Sequence, residues 1–132
     1  MANAQTGVDF SIIRRGQIYR FPAEVVTANL GTDIGARWYI VVQSDEMNNN
    51  PQKVLFVVAR ITGRENIKKD YPWQFNIDRA KYGFLDKDST VLGANLYTFE
   101  RSDFKRDFYA GQIDDNDLTI LSVVLKRALG IP

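Results

Sequence analysis

Two polar residues stand at the ends of apolar runs, where a rigid scaffold can present them to a ligand. Arg37 immediately precedes the apolar run 38–42, and Thr62 closes the run 53–62. At such a position the charge of Arg37 can be presented to a ligand, and the Thr62 hydroxyl could face the same loops as Arg37. The alternatives are an ordinary surface arginine beside a strand and a strand-end threonine that caps local backbone. Position alone leaves both interpretations open.

Basic side chains flank the loop that follows Thr62, namely Arg60, Arg64, Lys68 and Lys69. A cluster of this kind can bind phosphates. Glu65 and Asp70 belong to the same loop, so a solvated, mixed-charge surface is the alternative interpretation.

The chain contains no Cys and no His. This composition excludes Cys/His zinc sites, thiol nucleophiles, Ser-His-Asp triads and histidine acid-base pairs. The Asp-rich patches at 86–88 and 114–115 lack the ligand spacing of an EF-hand and are typical of a turn and a helix cap. Nucleotide-binding glycine motifs are absent as well. We therefore predict no metal and no cofactor.

The composition describes one globular domain. The 132 residues are 45% hydrophobic and 25% charged, with a formal net charge of +1. Because so small a net charge creates no long-range field, an RNA or DNA partner would have to be bound by a local patch. No apolar run approaches the roughly 20 residues of a membrane span, and the first residues do not resemble a signal peptide. We expect a cytoplasmic protein without membrane association, and the absence of Cys is compatible with this location.

The hydrophobic pattern predicts a single, mainly β domain over 13–132 that follows a flexible N-terminal tail, 1–12. Strands are predicted over 16–21, 37–43, 53–62, 72–77, 90–92, 95–99 and 108–113. The second and third would form a hairpin around a turn cluster at 45–51. A mobile loop is expected over 29–35, and a helical turn over 78–83.

One helix is predicted at the C-terminal end. Asp114 or Asp115 would cap its start, and Gly130 follows its last turn. Apolar residues repeat at spacings of three and four, namely Leu118, Leu121, Val124, Leu125 and Ala128. This face should pack on the sheet. The pattern predicts a small β-barrel or sandwich with a C-terminal α-helix.

The order of these segments resembles the MazF/PemK toxin family, the toxin half of bacterial toxin-antitoxin pairs. The resemblance runs from Arg14 to about Ile131. Its landmarks, in chain order, are 14–19, Arg37 leading 40–45, 58–62, Tyr82-Gly-Phe, 88–92, Thr98 with Arg101, and a terminal helix ending at Leu129-Gly130. These landmarks, all in the right order, make the resemblance specific.

The resemblance implies an SH3-like small β-barrel, a homodimer and a metal-independent endoribonuclease of the mRNA interferase type. Such toxins cut single-stranded RNA at short sequences, leave a 2',3'-cyclic phosphate and a 5'-hydroxyl, and so inhibit translation and growth. Arg37 falls on the family's catalytic arginine and Thr62 on its catalytic threonine. The resemblance also implies a cognate antitoxin whose acidic, disordered tail would occupy the RNA groove.

The chain departs from the family's pattern near these positions. Trp38 stands where most relatives have Pro, and Tyr97 where many have Arg. Ala94 replaces an acidic residue. Asn95 replaces the Gln that follows it, and we retain Asn95 as a candidate RNA contact beside the basic loop residues.

Two other functions remain open. CcdB-like gyrase poisons are related barrels, and 42–45 and 129–132 faintly resemble them, although Leu129 stands where they carry Trp. A noncatalytic SH3-like binding module would explain the missing acidic residue. It would not explain why Arg37 and Thr62 are both retained where a predicted strand meets a loop.

Overall fold

The computed structural model describes residues 13–132, and the predicted tail, 1–12, lies outside them. Six strands form its sheet: β1 (Gln17–Phe21), β2 (Arg37–Val41), β3 (Leu55–Gly63), β4 (Gln74–Ile77), β5 (Ser89–Glu100) and β6 (Tyr109–Gln112). The α-helices are α1 (Ala23–Leu30), α2 (Asp45–Asn48) and α3 (Asp115–Leu129). Single 3₁₀ turns occupy Arg64–Asn66, Arg101–Asp103 and Arg106–Phe108.

The strands form one antiparallel sheet in the order β4-β5-β3-β2-β1-β6. The sheet curls into a half-barrel with α3 packed on it, which confirms the predicted fold class. The predicted hairpin is also confirmed, because β2 and β3 pair directly. Its connection contains α2, which Ser44 caps through the backbone N–H of Met47.

Side-chain alternation gives the sheet two different faces. One, the helix face, carries Ile18, Ile40, Ile61 and Val91 and is covered by Leu121 and its neighbours on α3. The predicted cap of α3 is confirmed, since the Asp114 side chain accepts from the backbone N–H of Asp117 and Gly130 ends the helix in a left-handed conformation.

The other face, the aromatic face, is packed with rings. Phe21 stacks on Phe99 with ring centroids 4.8 Å apart and meets the edge of Phe104 at 5.2 Å. Tyr19 and Tyr39 extend the same cluster. Aromatic pairs of this geometry contribute about 0.5–1.5 kcal/mol each beyond the burial of their area.

The prediction of a loop over 29–35 was wrong at its start, because Asn29 and Leu30 belong to α1. This helix carries two adjacent valines and a threonine, whose branched side chains lower helix propensity. Burial overrides that preference: Val26 is fully buried against the aromatic face. Gly31, at a φ of 73°, ends the helix by donating its N–H to the carbonyl of Thr27.

The strands predicted over 90–92 and 95–99 are one continuous strand, β5. Arg60 pairs with Leu92, whereas the preceding residue, Ala59, pairs with Leu96. Residues 93–95 of β5 therefore have no pairing partner on β3. This bulge breaks the simple alternation of side chains from which strands are predicted.

A polar network joins the turn at 78–82 to the start of α3, and its members Tyr82 and Asp117 are buried. The Tyr82 hydroxyl donates to the Asp117 carboxylate at 2.5 Å, and Lys81 Nζ lies 2.9 Å from Asp114 and 3.1 Å from Asp117. Burial, and then the Asp117 carboxylate, raise the pKa of Tyr82 to about 12. The hydroxyl therefore remains a donor at neutral pH.

We expect Tyr82→Phe to destabilise the fold by about 1–2 kcal/mol, because the largely buried Asp117 carboxylate loses a hydrogen bond. Urea unfolding would measure the change. Tyr71→Phe is the matched control, since Tyr71 is 40% exposed and should change stability by less than about 0.5 kcal/mol. Equal stability of the two variants would contradict the proposed importance of the network.

Candidate active site

The register of β2 against β3 positions the two predicted catalytic residues. Trp38 pairs with Ile61, and Tyr39 pairs with Arg60. Continuing this register by one residue brings Arg37 opposite Thr62, on neighbouring strands and on the same face of the sheet. Opposed residues of an antiparallel pair have Cβ atoms about 4.5–5.5 Å apart.

Two further polar residues complete a compact group. Side chains alternate along a strand, so Tyr39 shares the face of Arg37, and Arg60 shares the face of Thr62. We call Arg37, Tyr39, Arg60 and Thr62 the donor block. Its two guanidiniums are diagonal neighbours, a relation that separates Cα atoms by about 7–8 Å and lies within reach of long side chains.

Arg37 is half-buried and held by the loop that precedes it. Its Nη1 donates to the carbonyl of Ala36 at 2.8 Å, whereas its Nε is buried and has no acceptor. Gly35 adopts a φ of +80°, and a Cβ there would lie 3.4 Å from Arg37 Nη1. The left-handed conformation favours glycine, which turns the chain directly beside the guanidinium.

Thr62 is also half-buried, and its hydroxyl accepts a hydrogen bond from Asn66 Nδ2 at 3.1 Å. Because this contact uses the oxygen as acceptor, the hydroxyl proton is available to a ligand. Thr90 pairs with Thr62 from β5 and donates to Asn76 Oδ1 at 2.8 Å. A row of polar side chains thus crosses the sheet from Arg37 to its β4 edge.

The donor block carries positive charge without a carboxylate to balance it. Across residues 13–132, the ion pairs involve Arg64, Lys81 and Lys87, and none involves Arg37 or Arg60. Guanidiniums and hydroxyls are donors that an oxyanion can accept from simultaneously. The arrangement is therefore suited to binding a phosphate.

Sequence reasoning treated Tyr39 as a core residue. The ring is indeed buried, but the hydroxyl reaches this site without a hydrogen-bond partner. Burial and then Tyr97 raise its pKa, while Arg60 and Arg37 act in the opposite direction. Its position two residues after Arg37 was the available signal, because that spacing places both on one face of a strand.

The other predicted RNA-binding residues occupy separate places. Arg64 forms an ion pair with Asp78 and is thereby partly neutralised. Lys68 and Lys69 lie on the exposed loop, where Lys69 Nζ sits 5.4 Å from the centre of the Tyr71 ring. Asn95 is exposed on the β5 bulge. Of the five candidates, the register brings only Arg60 into the donor block.

The described part of the chain shows neither a cluster of metal-ligating side chains nor a helix that could span a membrane. Within 13–132, no three Asp or Glu side chains are grouped so that they could hold a metal ion. The helices of this region are too short or too polar to cross a bilayer.

Comparison with solved structures shows the same fold in toxins of bacterial origin. An endoribonuclease in complex with its cognate antitoxin from a mycobacterial species is 22% identical, with a TM-score of 0.67, covering 91% of this chain and 97% of that chain. A second mycobacterial endoribonuclease is 18% identical, with a TM-score of 0.65 and coverage of 92% and 94%. A MazE-MazF structure from Deinococcus radiodurans is 17% identical, with a TM-score of 0.62 and coverage of 92% and 98%.

No curated protein sequence matches this chain significantly. The family model of the PemK-like, MazF-like toxins of type II toxin-antitoxin systems, however, matches residues 14–129. That match spans every described strand and α3, and it includes the whole donor block. The chain therefore belongs to the PemK-like, MazF-like toxin family.

Proposed function

We propose that this chain is a toxin that acts as a sequence-specific, metal-independent endoribonuclease on single-stranded RNA, including mRNA. The observation that carries the proposal is the placement of Arg37 opposite Thr62 on one face of the β2–β3 pair. Membership of the toxin family supports it, as do solved structures of the same fold that are described as endoribonucleases. Cleavage of mRNA would inhibit translation and growth from a cytoplasmic location.

The proposed reaction is an internal transesterification. The ribose 2'-oxygen attacks the adjacent phosphorus and loses its proton, while the bond from phosphorus to the 5'-oxygen breaks. The 5'-oxygen gains a proton, so the products are a 2',3'-cyclic phosphate and a 5'-hydroxyl. Negative charge grows on the nonbridging oxygens, where Arg37 and the Thr62 hydroxyl would stabilise it. Arg37 acts by its charge and by its planar fork of donors.

The proposed partners are a second copy of the chain and an acidic antitoxin. Exposed apolar side chains gather beside the end of α3, namely Met47 at 44%, Leu129 at 57% and Ile131 at 53%. This apolar groove is the surface we assign to the homodimer. The disordered antitoxin tail would instead follow the RNA groove and place carboxylates against Arg37 and the basic loop.

We expect the purified protein to cleave long, mixed-sequence RNA in the presence of EDTA and to leave cyclic phosphate ends. Gel analysis of the products and end-group mapping would measure this. Strict dependence on added Mg²⁺ would contradict the metal-independent reaction. RNA binding without cleavage would favour the noncatalytic module, and gyrase-dependent DNA breakage would favour a CcdB-like poison.

We expect Arg37→Lys to lower kcat by about 100-fold or more, because a point charge replaces the planar fork that contacts two phosphoryl oxygens. Thr62→Val should also lower kcat while leaving the melting temperature nearly unchanged, since the branched shape is preserved. Measuring rate and melting temperature on both variants separates catalysis from folding. Normal turnover in Arg37→Lys would exclude Arg37 as the catalytic centre.

We expect sedimentation to show a dimer at micromolar concentration and Leu129→Glu to shift it toward monomer, because a charge would be buried in the apolar groove. Ile120→Glu is the matched control: Ile120 is 38% exposed on the same helix but does not line the groove. A monomeric wild type, or equal effects of the two variants, would argue against this interface.

A further inference from the structure

The donor block contains two residues, Tyr39 and Arg60, that have no role in the reaction proposed for Arg37 and Thr62. Arg60 on β3 pairs with Tyr39 on β2, and each lies two residues along its strand from Thr62 or Arg37. Both belong to the face on which Arg37 and Thr62 lie. The polar block is therefore twice as large as the proposed catalytic pair requires.

Unsatisfied polar atoms are concentrated at this block. Among the described residues, five buried side-chain nitrogen or oxygen atoms have no hydrogen-bond partner, and three of them are Arg37 Nε, Tyr39 Oη and Arg60 Nε. Buried polar groups are nearly always paired, and an unpaired one costs stability. Several unsatisfied polar atoms at one place are typical of a functional site whose ligand supplies the missing hydrogen-bond partners.

The chemistry of these atoms defines the ligand. A guanidinium only donates hydrogen bonds, and the raised pKa of Tyr39 keeps its hydroxyl protonated at neutral pH. No carboxylate in the described part of the chain forms an ion pair with Arg37 or Arg60. The missing partner is therefore an anion with several acceptor oxygens, which a phosphodiester provides.

Resting on the proposed function, we propose that Arg60 is a second phosphate-binding residue and that Tyr39 is a positioning residue for the two guanidiniums. Arg60 binds a phosphodiester of the same RNA from the β-strand next to that of Arg37, and so adds one neutralised phosphate to the complex. The Tyr39 hydroxyl, on the strand of Arg37, holds their orientation by accepting a hydrogen bond from a guanidinium when substrate is bound.

The first test measures RNA binding rather than cleavage. A 2'-O-methyl RNA cannot react, and its affinity for the full chain can be titrated against salt concentration. Each neutralised phosphate of a single strand contributes a slope of about −0.7 in log K against log salt. We expect Arg60→Gln to make the slope shallower by about 0.7, whereas Arg60→Lys keeps it because the charge remains.

Arg20→Gln is the matched control, because Arg20 is exposed, pairs with Trp38 and lies on the opposite face of the sheet. It should leave the slope unchanged. An unchanged slope in Arg60→Gln would overturn the assignment of Arg60, even if the wild type cleaves RNA. A shallower slope in Arg60→Gln together with a wild type that cleaves no RNA would support Arg60 while excluding the proposed enzyme.

The second test uses kinetics and stability together. Tyr39→Phe removes only the hydroxyl, so we expect kcat to fall about tenfold with little change in KM, while the melting temperature stays the same or rises. A purely structural tyrosine predicts a normal kcat, and that result would overturn its positioning role. Arg60→Lys should likewise lower kcat although its salt slope is retained, because the planar fork is lost.

Discussion

The pairing register between β2 and β3 is the constraint on which the rest of the structure depends. Trp38 opposite Ile61 places two apolar side chains on the helix face, and the alternate positions then point to the other side. A slip by one residue would exchange the faces, moving Arg37 to the helix face and Ile40 to the aromatic face. The hydrophobic packing that fixes the fold therefore also fixes the relative positions of Arg37 and Thr62.

This dependence explains how polar groups are held close together without acidic partners. The rings of Phe21, Tyr39 and Phe99 form a continuous packed layer on the aromatic face. Beside that layer, Arg37 and Arg60 extend from neighbouring strands whose backbones are fixed by the ladder. Stability comes from the packed layer and the helix face, so the unbalanced charge of the block is tolerated.

Much of the fold follows from local patterns in the sequence. The hairpin, the cap of α3 at Asp114 and its end at Gly130 were predictable because each depends on neighbouring residues. The first helix was not predictable, since burial of Val26 overrides its weak propensity. The continuity of β5 was also hidden, because its bulge is defined only by the pairing with Ala59 and Arg60.

The candidate site likewise combines features that were predictable from the sequence with features that depend on tertiary packing. The positions of Arg37 and Thr62 at the ends of apolar runs were visible, and the pairing of those runs as a hairpin made their proximity a reasonable expectation. The position of the Tyr39 hydroxyl was not, because an aromatic residue within a strand is usually core and its hydroxyl direction depends on packing. Arg64 could not be separated from Arg60 by sequence, since its ion pair with Asp78 joins distant segments.

The position of β6 has a consequence for the order in which the molecule is completed. This strand comes late in the chain, yet it pairs with the outer edge of β1, the first strand. During synthesis, the edge of β1 stays unpaired until the other four strands have been added, and α3 follows later still to cover the helix face. Such distant contacts close late because their loop entropy must be overcome first. The sheet behind the site therefore lacks its β6 edge strand until β2, β3, β4 and β5 have all been synthesised.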